Sequence, residues 1–238
     1  RLGGFGDEKT LEKIIDKLKV SITSDEDLIS MNRLIMTQKK QIYTIKEPDK
    51  LLEYINDNLA PKEKETGEHG EVFTPIYLVN EILDKLPKGV WSNPKLKWLD
   101  PAAGIGNFPI CIYLRLMEGL KSWKPNKEKR REHILENMIY MGEINKKNYF
   151  ILEKVFCSKG KDKKSDGYNL KLNKGDSLKW LEKLKRDGNI FDIVVGNPPY
   201  NTGGKGKEGD KSIWIEFITK SLDVLQNNGY MGFIVPAL

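Results

Sequence analysis

The residues best equipped for chemistry stand at 191–200, FDIVVGNPPY. Ile193, Val194 and Val195 form a short apolar run that reads as a buried strand. It ends in Gly196, Asn197, Pro198, Pro199 and Tyr200. Adjacent prolines lack backbone donors and resist continuation as strand or helix, so the chain must leave in a stiff, extended turn. That turn offers one amide side chain, the carbonyls beside the prolines and one aromatic ring. Such a set suits a planar substrate carrying an amino group: two acceptors for its N–H bonds and a ring face for stacking. A rigid loop around a buried tyrosine is the plainer reading of the same residues.

A second stretch, 99–108 (LDPAAGIGNF), places an acid at the end of a strand and two glycines before a helix. Ligands of open α/β sheets bind at the carboxyl ends of the strands. Gly104 and Gly106 remove side chains where a ligand would approach the backbone. The pattern is not the dinucleotide fingerprint, because Phe108 and Pro109 stand where a third glycine belongs. Asp100 would repel a pyrophosphate there and would suit an ammonium group. The plainer reading is a tight strand-to-helix turn.

Two more acids follow apolar runs. Glu143 comes after 138–142 and Asp176 after 170–175. An acid at the second strand tip can take both hydroxyls of a ribose. One at the third can accept from an adenine amino group. Each alone reads as a solvated acid, but three at successive strand tips, with NPPY at the fourth, make a set. Acids lining a pocket in a basic chain suit a cationic cofactor. S-adenosylmethionine, with its sulfonium, ammonium, ribose and adenine, fits.

The elements that must hold these residues are legible in outline. From Gly70 onward, short apolar runs alternate with helical stretches. Strands are expected at 96–99, 138–141, 170–172, 193–195 and 231–235. Helices are expected at 76–86, through Ile110–Leu116, and at 127–138, 146–156, 177–184 and 213–225. The alternation implies a parallel sheet covered on both faces. Before Gly70 the chain reads as helices, with Leu11, Ile14, Ile15 and Leu18 at helical spacing. Ser24 and Asp27 resemble a capping box, and Pro48 opens a third helix. The polar run 61–70 (PKEKETGEHG) marks the boundary. The expected organisation is a helical segment, 1–66, and a catalytic domain, 67–238. The first is read as a cap on the main domain, with a docking arm for another domain as the sharper alternative.

Composition narrows the classes. The 238 residues carry a formal charge of +6, which favours an anionic partner. The basic run 127–131 (KEKRR) reads as a solvated helix face. Two histidines, His69 and His133, leave little for a histidine-based catalytic or metal site, and no metal is expected. Cys111 and Cys157 lack metal-ligand spacing, so a reducing, cytoplasmic setting is the simple inference. No apolar run approaches the ~20 residues of a membrane span.

In order along 70–238, the pieces GEVFTP (70–75), LDPAAGIGNF (99–108), MGEIN (141–145), GDS (175–177), VVGNPPY (194–200) and the run from Trp214 through NNGYMGFIVPAL resemble the gamma class of adenine-N6 DNA methyltransferases of restriction–modification systems. The resemblance implies a Rossmann-like S-adenosylmethionine-dependent methyltransferase fold preceded by the helical segment. It implies that Phe73, Thr74 and Pro75 close over the methionine end of the cofactor, Thr74 near its carboxylate. Asp100, Ala102, Gly104, Gly106 and Asn107 would form the floor of that site. Glu143 would hold the ribose, Asp176 the cofactor adenine, and Phe217 would pack near that adenine. Asn197 and the carbonyl of Pro198 would accept from the target amine in the stiff turn that Pro199 completes, and Tyr200 would stack on the base. Double-stranded DNA is the implied partner, with a nuclease or specificity domain or subunit beside it. The family's target-recognition region is expected to follow the catalytic domain, and the sequence is read as stopping short of it.

One departure stands out. Asp100 and Glu143 lie 43 positions apart, against roughly 20 between a glycine turn and its ribose acid. An inserted helix around 123–138 accounts for the excess. The planar-amide logic also fits methylation of a release-factor glutamine or an RNA base amine. A non-catalytic, methyltransferase-shaped DNA-binding subunit is the rival of a different class.

Overall fold

The computed structural model describes residues 74–156, 167–200 and 212–236. Phe73, Cys157, the expected N-terminal helices and the loop at 201–211 lie outside the described residues. The chain divides into two compact units, Arg1–Ala60 and Pro61–Leu238, and the described residues all belong to the second.

Five parallel strands form one sheet: β1 (Trp98–Asp100), β2 (Ile139–Glu143), β3 (Lys171–Lys174), β4 (Phe191–Gly196) and β5 (Leu225–Phe233). Their order is β3-β2-β1-β4-β5. β1 sits at the centre, and the chain runs outward from it in both directions. The crevice between β1 and β4 is therefore the topological switch point, where open α/β sheets bind ligands.

Burial follows position. The three residues of β1 are all buried, as are Ile193, Val194 and Val195 of β4. These are the continuous apolar runs expected of parallel strands covered on both faces. Alternate residues serve opposite layers. Leu99 joins Leu181, Leu184, Val194 and Phe217 in a cluster with α5 (Ser177–Arg186) and α6 (Ile213–Leu222). Trp98 stacks on Trp91 of a 3₁₀ turn, Lys88–Ser92, on the other face. That face is covered by α1 (Ile76–Leu83), α2 (Asn107–Gly119) and α4 (Lys146–Val155). Tyr113 of α2 meets Phe156, just after α4, edge to face. Each fully buried large aliphatic contributes about 1.5–3 kcal/mol. The edge strand β3 reads KLNK, with both lysines exposed, which discourages further pairing.

Three helix starts among the described residues are marked by side chains. Asn126, Asn145 and Asp176 each accept from backbone N–H groups of the turn that follows. Pro109 is tolerated in α2 because it lies in the first turn.

The alternation of strands and helices appears as expected, with shifted ends. β1 begins two residues later than its apolar run and takes in Asp100. α1 stops at Leu83, and α6 stops at Leu222. The charged helix expected over 127–138 is α3 (Lys127–His133) followed by a π-helical turn, Ile134–Met138. This insertion lies within the long gap between Asp100 and Glu143. The largest correction concerns β5, which begins at Leu225 rather than at Met231. The sequence QNNG reads as a turn, and Asn228 does adopt a left-handed φ of 67°. The extra residues form an irregularity opposite Phe191–Ile193, with pairing on both sides of it. Among the described residues no helix is long and apolar enough to cross a membrane.

Candidate active site

Asp100, Glu143, Asp176 and Asn197 stand at the carboxyl ends of β1, β2, β3 and β4, four strands that are neighbours in the sheet. The tips are stitched together by backbone hydrogen bonds. Ala103 N–H donates to the Gly142 carbonyl (2.9 Å), Gly175 N–H to the Glu143 carbonyl (3.0 Å) and Ile234 N–H to the Gly196 carbonyl (3.1 Å).

Asp100 is 2% exposed. Its Oδ1 accepts from Ala102 N–H at 3.0 Å. Burial pushes its carboxyl up to about 7, and the Ala102 hydrogen bond offsets this only in part. Gly196 makes room for it: a Cβ on Gly196 would lie 2.7 Å from Asp100 Oδ1. The carboxylate thus bears directly on the tip of β4 across the switch point.

The glycine turn has two differently used glycines. Gly106, φ 107°, caps α2, and a Cβ there would press on Leu152 at 2.9 Å. Gly104, φ 56°, faces open space, with nothing within 4 Å of an added Cβ. Ala102 borders the apolar cluster under α5 and α6. Asn107 opens α2, and its amide donates to the Thr74 carbonyl at 2.7 Å. Its Oδ1 is buried without a hydrogen-bond partner among the described residues.

Glu143, 6% exposed, is the last residue of β2, as its expected role requires. Its Oε1 accepts from Asn145 N–H at 2.6 Å. Asp176 differs. It is exposed, and its Oδ1 caps α5 by accepting from Leu178 and Lys179 N–H. Its other oxygen lies 3.8 Å from Lys179 Nζ. Phe217 is 5% exposed and packs in the cluster that Ala102 and Leu178 border. Ile144 is not among the residues that the sequence motifs single out, yet it stands 69% exposed between Glu143 and the Asn145 cap. A bulky aliphatic inside the polar run MGEIN is the available signal.

At the β4 tip, Pro198 is buried, and Asn197, Pro199 and Tyr200 are half-buried. Burial holds the Tyr200 phenol above its usual range, so the ring remains neutral. The Tyr200 carbonyl accepts from Ile213 N–H at 3.2 Å, which ties the end of the turn to α6. Asn197 Nδ2 donates to Thr74 Oγ1 at 2.9 Å. Thr74, 7% exposed, lies just before Pro75 and α1, and so meets both the glycine-turn helix and the NPPY turn.

This floor fits a cationic cofactor. A desolvated carboxylate (Asp100), an unfilled buried acceptor (Asn107 Oδ1) and open space above Gly104 occur on one turn.

Known proteins are similar to this chain in sequence and in fold. The chain is 27% identical to an uncharacterized adenine-specific methylase of Mycoplasma pneumoniae, over 70% of this chain and 55% of that protein. It is 30% identical to the type II methyltransferase M.BstVI of Geobacillus stearothermophilus, over 70% of this chain and 33% of that protein. It thus spans about half or less of the length of these relatives. Among solved structures, the ATP-dependent type ISP restriction-modification enzyme LlaBIII bound to DNA superposes with a TM-score of 0.57 at 17% identity, over 95% of this chain and 21% of that one. The α/β core has the Rossmann-like fold of S-adenosylmethionine-dependent methyltransferases. Residues 14–238 match the family described as Eco57I restriction-modification methylase, and the chain belongs to that family.

Proposed function

We propose that this chain carries the methyl-transfer centre of an adenine-N6 DNA methyltransferase. The observation that carries this reading is the NPPY turn held against Thr74, one strand away from the buried Asp100 and its glycine turn.

S-adenosylmethionine would supply an electrophilic methyl group. Asp100 and Asn107 would meet its cationic end, and Gly104 leaves its backbone open to it. Thr74 would meet the carboxylate. Glu143 would take the ribose hydroxyls, with Ile144 as an apolar surface beside it. Asp176 would use the oxygen not committed to its cap to reach the adenine, and Phe217 would back that adenine from below.

The exocyclic amine of adenine is a poor nucleophile because its lone pair is shared with the ring. Asn197 Oδ1 and the Pro198 carbonyl would each accept one N6 hydrogen. That pulls the nitrogen towards a tetrahedral shape and frees the lone pair for in-line attack. Positioning and electrostatics supply the catalysis. Once the N–C bond has formed, the nitrogen sheds a proton readily, so no general base must act first. In a duplex the target base must leave the stack, at a cost of a few kcal/mol, and stacking on Tyr200 offsets part of it. Double-stranded DNA in the cytoplasm is the substrate of this reading, and residues 67–238 its catalytic unit. A nuclease or specificity domain or subunit is the further partner of this reading.

The test is transfer of labelled methyl from S-adenosylmethionine to mixed-sequence duplex DNA by the full-length protein, followed by nucleoside analysis. N6-methyladenine is expected. Label appearing only in RNA or in a release factor would replace this reading.

A further inference from the structure

Thr74 touches both halves of the site. Its carbonyl accepts from Asn107 Nδ2 (2.7 Å), at the start of the glycine-turn helix. Its hydroxyl oxygen accepts from Asn197 Nδ2 (2.9 Å), on the NPPY turn, across 123 residues of sequence. The hydroxyl and the amide it meets are both ambivalent. A hydroxyl can donate or accept, and an asparagine amide can turn over to present either limb. The two orientations are not equivalent for chemistry. With Nδ2 on Thr74, the other limb is the carbonyl oxygen, an acceptor for an amine hydrogen. Turned over, the amide would present N–H groups to the N–H groups of the substrate.

The orientation therefore depends on where the Thr74 proton goes. If the proton is donated to an anion, Oγ1 is left with lone pairs only, and Asn197 must approach it with Nδ2. We propose that Thr74 is a positioning residue that couples cofactor occupancy to the readiness of Asn197. The cofactor carboxylate accepts a hydrogen bond from the hydroxyl, and the hydroxyl oxygen then fixes the amide with Oδ1 towards the target base. This inference rests on the function proposed above and adds a direction to it: base capture at the NPPY turn is favoured only once the cofactor side is filled. Thr74 is nearly buried, and Asn107 holds its carbonyl independently of the hydroxyl, so the hydroxyl can be removed with the backbone anchor kept.

The test uses the full-length protein, with Thr74→Val and Thr74→Ala to remove the hydroxyl and Thr74→Ser to keep it. The first readout is the affinity for target duplex with and without S-adenosylhomocysteine, which retains the carboxylate and cannot transfer a methyl. In the native protein its presence is expected to tighten duplex binding on the order of tenfold. That coupling is expected to vanish in both hydroxyl-less variants and to survive in Thr74→Ser. The second readout is turnover at saturating cofactor. It is expected to fall on the order of a hundredfold without the hydroxyl, through misplacement of Asn197. It should stay within about threefold of native in Thr74→Ser, where the hydrogen bond remains. Three results would overturn the inference: coupling retained in Thr74→Val and Thr74→Ala, a defect confined to the KM for cofactor, or equal loss in Ser and Val. If the native protein methylates no DNA, the function itself fails, and that outcome is separable from the others.

Discussion

Asp100 and Asp176 are the same residue type near the carboxyl ends of strands in two βα units, and the fold uses them differently. Asp100 ends the central strand. Neighbouring strands flank it on both sides, so its carboxyl is desolvated and pushed up to about 7. Asp176 follows the edge strand β3, remains exposed, and spends one oxygen on the first turn of α5. One acid is desolvated at a cost to the fold, and the proposed function gives it to the cofactor. The other stabilises the fold through its cap and keeps its second oxygen 3.8 Å from Lys179 Nζ at the surface. Rank in the sheet, rather than residue type, sets which of the two an acid becomes.

Substituting each acid should separate these uses, and the largest effect is expected at Asp100. Asp100→Asn keeps an acceptor for Ala102 N–H and removes the buried charge. Titration calorimetry is expected to show S-adenosylmethionine affinity reduced on the order of a hundredfold, the scale of a lost buried charge interaction. In the native protein, that affinity should fall as pH drops through about 7 and Asp100 takes up a proton.

Stability should move the opposite way. The folded native protein holds this proton where the unfolded chain has released it, between the ordinary carboxylate value of 3.8 and about 7. The contribution of Asp100 to stability is therefore full below 3.8 and lost as pH rises through about 7. Thermal melts across that window should show Asp100→Asn gaining on the native protein up to about pH 7 and holding the gain above it. Parallel melting curves would remove the claim that this carboxyl is desolvated.

Gly196→Ala probes the same carboxyl from across the switch point. Its Cβ would lie 2.7 Å from Asp100 Oδ1. Overpacking of this kind costs about 1–3 kcal/mol. Chemical denaturation should report that loss, and cofactor affinity should fall with it. A neutral result would mean that the two tips are not in contact.

The smallest effects are expected at the edge. Asp176→Ala removes the cap of α5 and should cost about 1 kcal/mol of stability. Asp176→Asn keeps the cap acceptor and should cost only a few tenths of a kcal/mol, through the helix dipole. Both should weaken cofactor binding roughly fivefold if the oxygen beside Lys179 meets the adenine. Unchanged binding in both would reduce Asp176 to a cap.

Much of this contrast is legible in the amino-acid sequence. The apolar runs that become β1 and β4 are continuous because both faces of the sheet are covered, and NPPY and the glycine turn announce themselves by backbone constraint. Where elements end is less legible. β5 starts early because the sheet tolerates a left-handed Asn228 inside QNNG, which in isolation signals a turn. The split use of Asp176 is hidden behind its ligand-like position, although an acid just before a helical run is also a cap signal. Least accessible is the Thr74–Asn197 hydrogen bond. It joins residues 123 apart, and only the folded sheet brings their elements together.

The proposed function assigns cofactor holding to the β1 side of the switch point and methyl transfer to the β4 tip. The most direct test of that division is the single-turnover rate of Asn197→Ala on target duplex, with S-adenosylmethionine saturating and its affinity measured on the same sample. Native cofactor affinity with methyl transfer to DNA abolished is the expected result. Near-native transfer by that variant would contradict the division and send the search for the reacting site elsewhere in the fold.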